Sequence, residues 1–164
     1  MKILIFTEGT VIMPNFGKSV SREERVRMTI NQDQIVHKFE NYVPNDNSVD
    51  KIKMWKSRGA EIYYLTSRDT EQEIEIIRGV LTKYGFPDVQ NLLYRKTGEQ
   101  YKDVAERLMP DIVIEDDCES IGGESEMTYP HIREDLKSRI KSVVVKEFGG
   151  ISMLPDNFPL NRNY

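Results

Sequence analysis

The stretch Ile3-Leu4-Ile5-Phe6-Thr7-Glu8-Gly9-Thr10 decides how this chain of 164 residues is read. Four apolar residues run straight into a polar turn. An unbroken apolar run this short, bounded by a turn signal, reads as a strand buried on both faces. Glu8 then stands at the carboxyl end of that strand, and Gly9 permits a tight turn after it. In an open α/β sheet, ligands bind outside the carboxyl ends of the strands. An acid in that place is a site candidate, with a solvated loop carboxylate as the plain alternative.

Working outward, four more runs have the same character. Residues 62–65 end in Thr66-Ser67-Arg68-Asp69, and residues 91–94 form a short third strand. Residues 111–114 run directly into Glu115-Asp116-Asp117, and residues 142–146 form the fifth strand. Helical periodicity lies between them. Ser21 with Glu24 and Thr70 with Glu73 are capping boxes, opening helices to about Tyr42 and to Tyr84. Further helices are predicted over 48–58, 99–109 and 131–140, with Gly59 and Pro110 as stops. Strands alternating with helices call for an α/β fold of Rossmann-like type, a three-layer parallel sheet with helices on both faces. One domain spans 1–164. Residues 11–44 are the one candidate for a small helical cap, with loops at 11–21 and 43–47, and residues 147–164 read as an irregular tail over the domain.

Composition narrows the function classes. Hydrophobic residues make up 38% and charged residues 30%, a globular composition and not a disordered one. The net charge of -4 argues against a general nucleic-acid or membrane-surface partner. Cys118 is the only cysteine, so no internal disulfide can form. No apolar run approaches a membrane span, and residues 3–6 are too short for a signal-peptide core. A cytoplasmic location is the expectation.

Three strand ends carry chemical capacity: Glu8 and Thr10, then Thr66 and Ser67, then Glu115, Asp116 and Asp117. A parallel sheet gathers these ends on one edge. Lys96 and Lys102 lie between the third and fourth strands, within reach of that edge. Grouped carboxylates repel unless a cation neutralises them, and hard oxygen ligands suit Mg²⁺. Hydroxyls and a lysine beside the metal make a phosphate site. The alternative is that residues 115–117 merely cap the helix or loop after them. Arg22, Arg25, Arg27 and Lys18 cluster where they oppose a helix dipole. They face either an anionic ligand or solvent. Cys118 beside clustered acids is a poor nucleophile; His131, at a helix start after Tyr129-Pro130, either leans over the site or lies on the surface, and His37 has no partner in sequence.

In order and spacing, residues 1 to about 146 resemble the haloacid-dehalogenase-like (HAD) phosphohydrolase superfamily. Its first-strand motif is Asp-x-Asp-Gly-Thr. Matching Gly9-Thr10 places Glu8 at the second aspartate, the general acid and base. Thr66 matches the Thr or Ser of the second motif, with Ser67 and Arg68 beside it. Lys102 suits the third-motif lysine, with Lys96 as runner-up. Glu115-Asp116 match the acidic pair of the fourth motif, with Asp117 as alternate. The resemblance therefore implies Glu8, Thr66 and Lys102 as catalytic residues. Thr10, Ser67, Arg68 and Lys96 become ligand-binding residues, and Glu8, Glu115, Asp116 and Asp117 hold Mg²⁺. The family's nucleophilic aspartate, however, falls on Phe6. A benzyl group cannot attack phosphorus. Thr7 has a hydroxyl, but strand alternation points it away from Phe6 and Glu8.

The reading is thus of a divergent HAD-like protein that binds Mg²⁺ and a phosphorylated small molecule or phosphate, with no or atypical phosphatase activity. One alternative is an active phosphatase in which metal-activated water attacks directly. The other is an interaction protein with a vestigial site.

Overall fold

The run beginning at Lys2 is the middle strand of a five-stranded sheet in the computed structural model, which describes residues 1–32 and 34–157. In chain order the elements are β1 (Lys2–Phe6), β2 (Ile12–Pro14), α1 (Arg22–Ile30), β3 (Tyr42–Pro44), α2 (Ser48–Ser57) and β4 (Glu61–Leu65). Next come α3 (Glu71–Lys83), β5 (Leu92–Leu93), α4 (Tyr101–Leu108), β6 (Ile112–Asp116), α5 (Glu134–Lys137) and β7 (Lys141–Val145). The sheet order is β5-β4-β1-β6-β7, and every pairing in it is parallel. This is the predicted α/β fold.

Alternation along the strands explains the layers. Ile3, Ile5, Ile62, Tyr64, Ile112 and Ile114 face one side, where Ile52 and Trp55 of α2 and Ile77 and Leu81 of α3 cover them. Leu4, Leu65 and Val113 face the other, against Val104 and Ala105 of α4, Ile132 and Ile140. Both faces being covered is why the strands read as unbroken apolar runs rather than alternating ones. Among the described residues no helix is long and apolar enough to cross a membrane.

The sequence reading is corrected in four places. The helix after Ser21 stops at Ile30, because Asn31 caps it and Gln32 takes a left-handed φ of 51°. Two short 3₁₀ turns, Gln34–His37 and Phe39–Asn41, replace the remainder. The expected loops contain an antiparallel ribbon, with Ile12 opposite Pro44 and Pro14 opposite Tyr42. Pro14 and Pro44 sit at the ends of the ribbon, where a missing N–H is tolerated. The cap segment is therefore a ribbon plus one helix. The helix expected over 131–140 shrinks to Glu134–Lys137, since Tyr129–His131 form a 3₁₀ turn and Arg133 is extended at ψ 137°. Lastly, β6 continues through Asp116 instead of stopping at Ile114, with consequences for the site.

Candidate functional site

β1 ends at Phe6, and the chain turns sharply. Thr7 and Val11 close the turn through the bonds Val11 N–H to Thr7 O and Gly9 N–H to Ile12 O, each 3.0 Å. Gly9 has φ +83°, and a Cβ on it would stand 2.7 Å from Asp116 Oδ2. Both facts demand glycine here.

Glu8 is held on all sides. Its Oε1 accepts from Thr66 Oγ1 at 2.6 Å and lies 3.4 Å from Arg68 Nε. Its Oε2 accepts from the hydroxyl of Thr7 and from the Ser67 N–H at 3.3 Å. Alternation predicts that Thr7 points away. The strand has already ended at Phe6, so the alternation does not reach Thr7, and its hydroxyl turns back to the carboxylate. Arg68 in turn donates to Ser67 Oγ at 2.6 Å and stacks over the Phe39 ring, 4.4 Å from its centroid.

Asp116 faces the same space from β6. Thr10, fully buried, donates to its Oδ2 at 2.8 Å, and the Cys118 N–H donates to its Oδ1 at 3.0 Å. Asp116 is 5% exposed. Burial pushes its carboxyl up to about 7, with the charge of Glu147 adding to the effect and the Thr10 bond opposing it. Burial likewise pushes the Cys118 thiol up, and the Asp116 and Glu115 charges reinforce this.

A cavity of about 550 Å³ opens above these residues. Phe6, Glu8, Ser67, Arg68, Tyr101 and Asp116 all line it. The Phe6 ring meets Tyr101 edge-on, centroids 5.2 Å apart at 75°.

Several expected members stand elsewhere. Glu115 lies on the opposite face of β6 from Asp116, as alternation requires once the strand runs through both. Its carboxylate accepts from the Thr128 and Tyr129 N–H groups at 2.6 and 2.9 Å. Asp117 pairs with Lys146 at 2.8 Å and accepts from the Glu147 N–H. Burial would raise its carboxyl, but those two partners outweigh burial and hold it low. Lys96 is exposed and does not line the cavity. Lys102 lines a smaller neighbouring cavity instead. Among the described residues no three Asp, Glu, His or Cys side chains come together to hold one metal ion. The four carboxylates expected to hold Mg²⁺ do not form a set that fits it: Glu8 is beside Arg68, Glu115 accepts from the Thr128 and Tyr129 N–H groups on the other face of β6, Asp117 is paired with Lys146, and both oxygens of Asp116 already accept hydrogen bonds.

Sequence reasoning missed Glu147. It is 5% exposed, lines the cavity, and accepts from both the N–H and the hydroxyl of Ser120. Burial raises its carboxyl too. A signal for it exists, because Glu147 follows the fifth strand as Glu8 follows the first, yet the glycines and prolines of 147–164 read as a tail. The basic cluster on α1 holds this segment. Arg22 Nε donates to Glu147 O at 2.8 Å and Arg25 to Phe148 O at 3.1 Å, while the Phe148 N–H donates to Gly9 O at 2.7 Å. These arginines therefore bind backbone carbonyls of the chain itself.

No protein-family model matches the sequence, and no curated protein matches it. Solved structures do resemble it in fold. The class C acid phosphatase from Bacillus anthracis with tungstate bound superposes with a TM-score of 0.58 at 18% identity, over 91% of this chain and 68% of that one. A second structure of that phosphatase gives 0.59 at 17% identity, over 91% and 67%. A chain of the Pnkp1/Rnl/Hen1 RNA repair complex gives 0.52 at 17% identity, over 88% of this chain and 43% of that one. At these identities the likeness is one of fold alone, and it agrees with the parallel α/β Rossmann-like arrangement expected from the sequence.

Proposed function

We propose that this chain binds a phosphorylated small molecule at the carboxyl edge of its sheet and does not pass the phosphoryl group through an aspartyl ester. The observation that carries the reading is Phe6. An aspartyl route needs a carboxylate on the last residue of β1 facing the cavity, and a phenyl ring packed against Tyr101 stands there. Glu8 is no substitute. Its oxygens accept from Thr66, Thr7 and the Ser67 N–H beside Arg68, an arrangement that ties up both oxygens rather than freeing a nucleophile. In this reading Glu8 and Thr66 position Ser67 and Arg68, Thr10 positions Asp116, and no step runs through Mg²⁺. Support for a phosphorylated ligand comes from the fold shared with acid phosphatases, from Arg68 in this cavity, and from Arg95 and Lys102 in the smaller cavity beside it.

A second reading, direct attack by water, is favoured by one observation. Asp116 is a buried carboxyl held near neutral pH, suited to take a proton from water. It predicts metal-independent turnover lost in Asp116→Asn.

Titration of the chain with phenyl phosphate, followed by ³¹P NMR, tests the main reading. Binding with or without added Mg²⁺, and no release of inorganic phosphate, is the expected result. Binding of neither phenyl phosphate nor inorganic phosphate would leave the interaction-protein alternative and refute the proposal.

A further inference from the structure

A cavity of about 230 Å³ lies beside the larger one, and Tyr101 and Glu126 line both. The two differ in charge. The larger cavity holds Glu8, Asp116, Glu126 and Glu147 against the single guanidinium of Arg68. The smaller gathers Arg95, Lys102 and His131, with Glu126 as its one acid.

Arg95 and Lys102 lack the carboxylate partners that other basic residues of the chain have. Lys51, Lys56, Lys137 and Lys146 each pair with a carboxylate. Lys102 makes no hydrogen bond or ion pair among the described residues. The Arg95 guanidinium lies over the Tyr101 ring at 4.2 Å, and one of its terminal nitrogens reaches Ser67 O only at 3.5 Å. Its Nε is buried and donates to nothing among the described residues. A buried donor without an acceptor costs stability unless something supplies one. His131 is fixed in place, its Nε2 donating to the Ser125 carbonyl at 3.0 Å. Gln100, Tyr101 and Lys102, at the amino end of α4, line the same cavity, and the Gln100 N–H there already donates to Asp103 Oδ2 at 2.7 Å.

We propose that this smaller cavity is the anion subsite of the ligand: its phosphoryl group sits among Arg95, Lys102 and His131, and its body lies past Tyr101 in the larger cavity. The proposal rests on the reading that the ligand is phosphorylated. Charge places the phosphoryl group. A dianion over the end of β1 would face Glu8, Asp116 and Glu147 and meet the Phe6 ring. Beside Tyr101 it meets a guanidinium fork and an ammonium instead. The larger cavity then selects the body. Phe6, Val36, Phe39 and Ile121 line it, so the ligand class is a phosphomonoester of an apolar or aromatic alcohol.

The test is titration of wild type, Arg95→Gln, Arg95→Lys, Lys102→Met and Arg68→Gln with phenyl phosphate and with inorganic phosphate, with thermal melts as a fold control. Arg95→Gln and Lys102→Met should each weaken phenyl phosphate binding roughly ten-fold to a hundred-fold. Arg95→Lys should recover part of that loss. Lys102→Met keeps the test sound if Arg95→Gln melts early, since Lys102 is only partly buried and holds no other side chain. Binding abolished by Arg68→Gln but unchanged in Arg95→Gln and Lys102→Met would overturn the subsite and leave the phosphorylated-ligand reading standing. A wild type that binds neither probe would overturn both.

Discussion

Replacing Phe6 by aspartate asks whether the strand-end residues are still arranged for phosphoryl transfer. The structural cost comes from the contacts of the ring. Phe6 is partly buried and packs edge-on against Tyr101 at 5.2 Å. Losing the aromatic pair costs about 1 kcal/mol, and losing its share of buried apolar surface costs about 2 kcal/mol more. The new carboxylate also joins Glu8 and Asp116 at one cavity, which adds repulsion. A domain of ordinary stability, about 5–15 kcal/mol, survives a loss of that size with its melting temperature lowered by roughly 10 °C. The functional gain is a carboxylate on the last residue of β1, with Thr66 and Arg68 already fixed beside Glu8. Mg²⁺ held by the new carboxylate would neutralise this edge and admit the phosphoryl group that the wild type keeps beside Tyr101, so Phe6→Asp should acquire Mg²⁺-dependent hydrolysis of an aryl phosphate, read as release of the coloured phenol. A variant that melts as a folded protein yet shows no hydrolysis would refute the reasoning that the edge retains phosphoryl-transfer geometry.

Gly9→Ala places a methyl 2.7 Å from Asp116 Oδ2 at a φ of +83°, so it should lower unfolding free energy by about 2–4 kcal/mol in urea titration. Stability should also depend on pH. The Asp116 carboxyl is raised to about 7 from 3.8, so between those values the folded chain holds a proton that the unfolded chain has lost. Stability from this group therefore falls as pH rises through that window, and Glu115 and Glu147, also raised by burial, act in the same direction. Asp117, held low, gives stability that is lost only below the usual carboxylate range. The urea midpoint should be higher near about pH 5 than near about pH 8, with the difference reduced in Asp116→Asn.

The fold was legible because its strands are buried on both faces, which leaves continuous apolar runs ending in polar residues. Glu8, Thr66 and Asp116 come directly after such runs or close them, so their convergence on one edge could be read from order alone. What could not be read depended on where each strand ends. A β1 that ran on would turn Thr7 away and a β6 that stopped at Ile114 would leave Glu115 free to face the site, whereas β1 ends at Phe6 and β6 runs through Asp116. One residue of strand length reverses a side chain's face. The ribbon of Ile12–Pro14 and Tyr42–Pro44 was hidden by its prolines. Glu147 was passed over because glycines come soon after it, although Arg22, Arg25 and Gly9 fasten that segment through its backbone. Such bonds to main-chain atoms leave no pattern in side-chain spacing.

The central claim is that Phe6 closes the aspartyl route while a phosphorylated ligand still binds. The direct measurement takes one preparation of wild-type protein, shown by titration to bind phenyl phosphate, and monitors hydrolysis of p-nitrophenyl phosphate with Mg²⁺ present. Acid quenching in parallel traps any phosphate attached to the chain. The account predicts no Mg²⁺-stimulated release above the protein-free blank and no covalently bound phosphate. Robust Mg²⁺-dependent turnover that disappears in Glu8→Gln would contradict it.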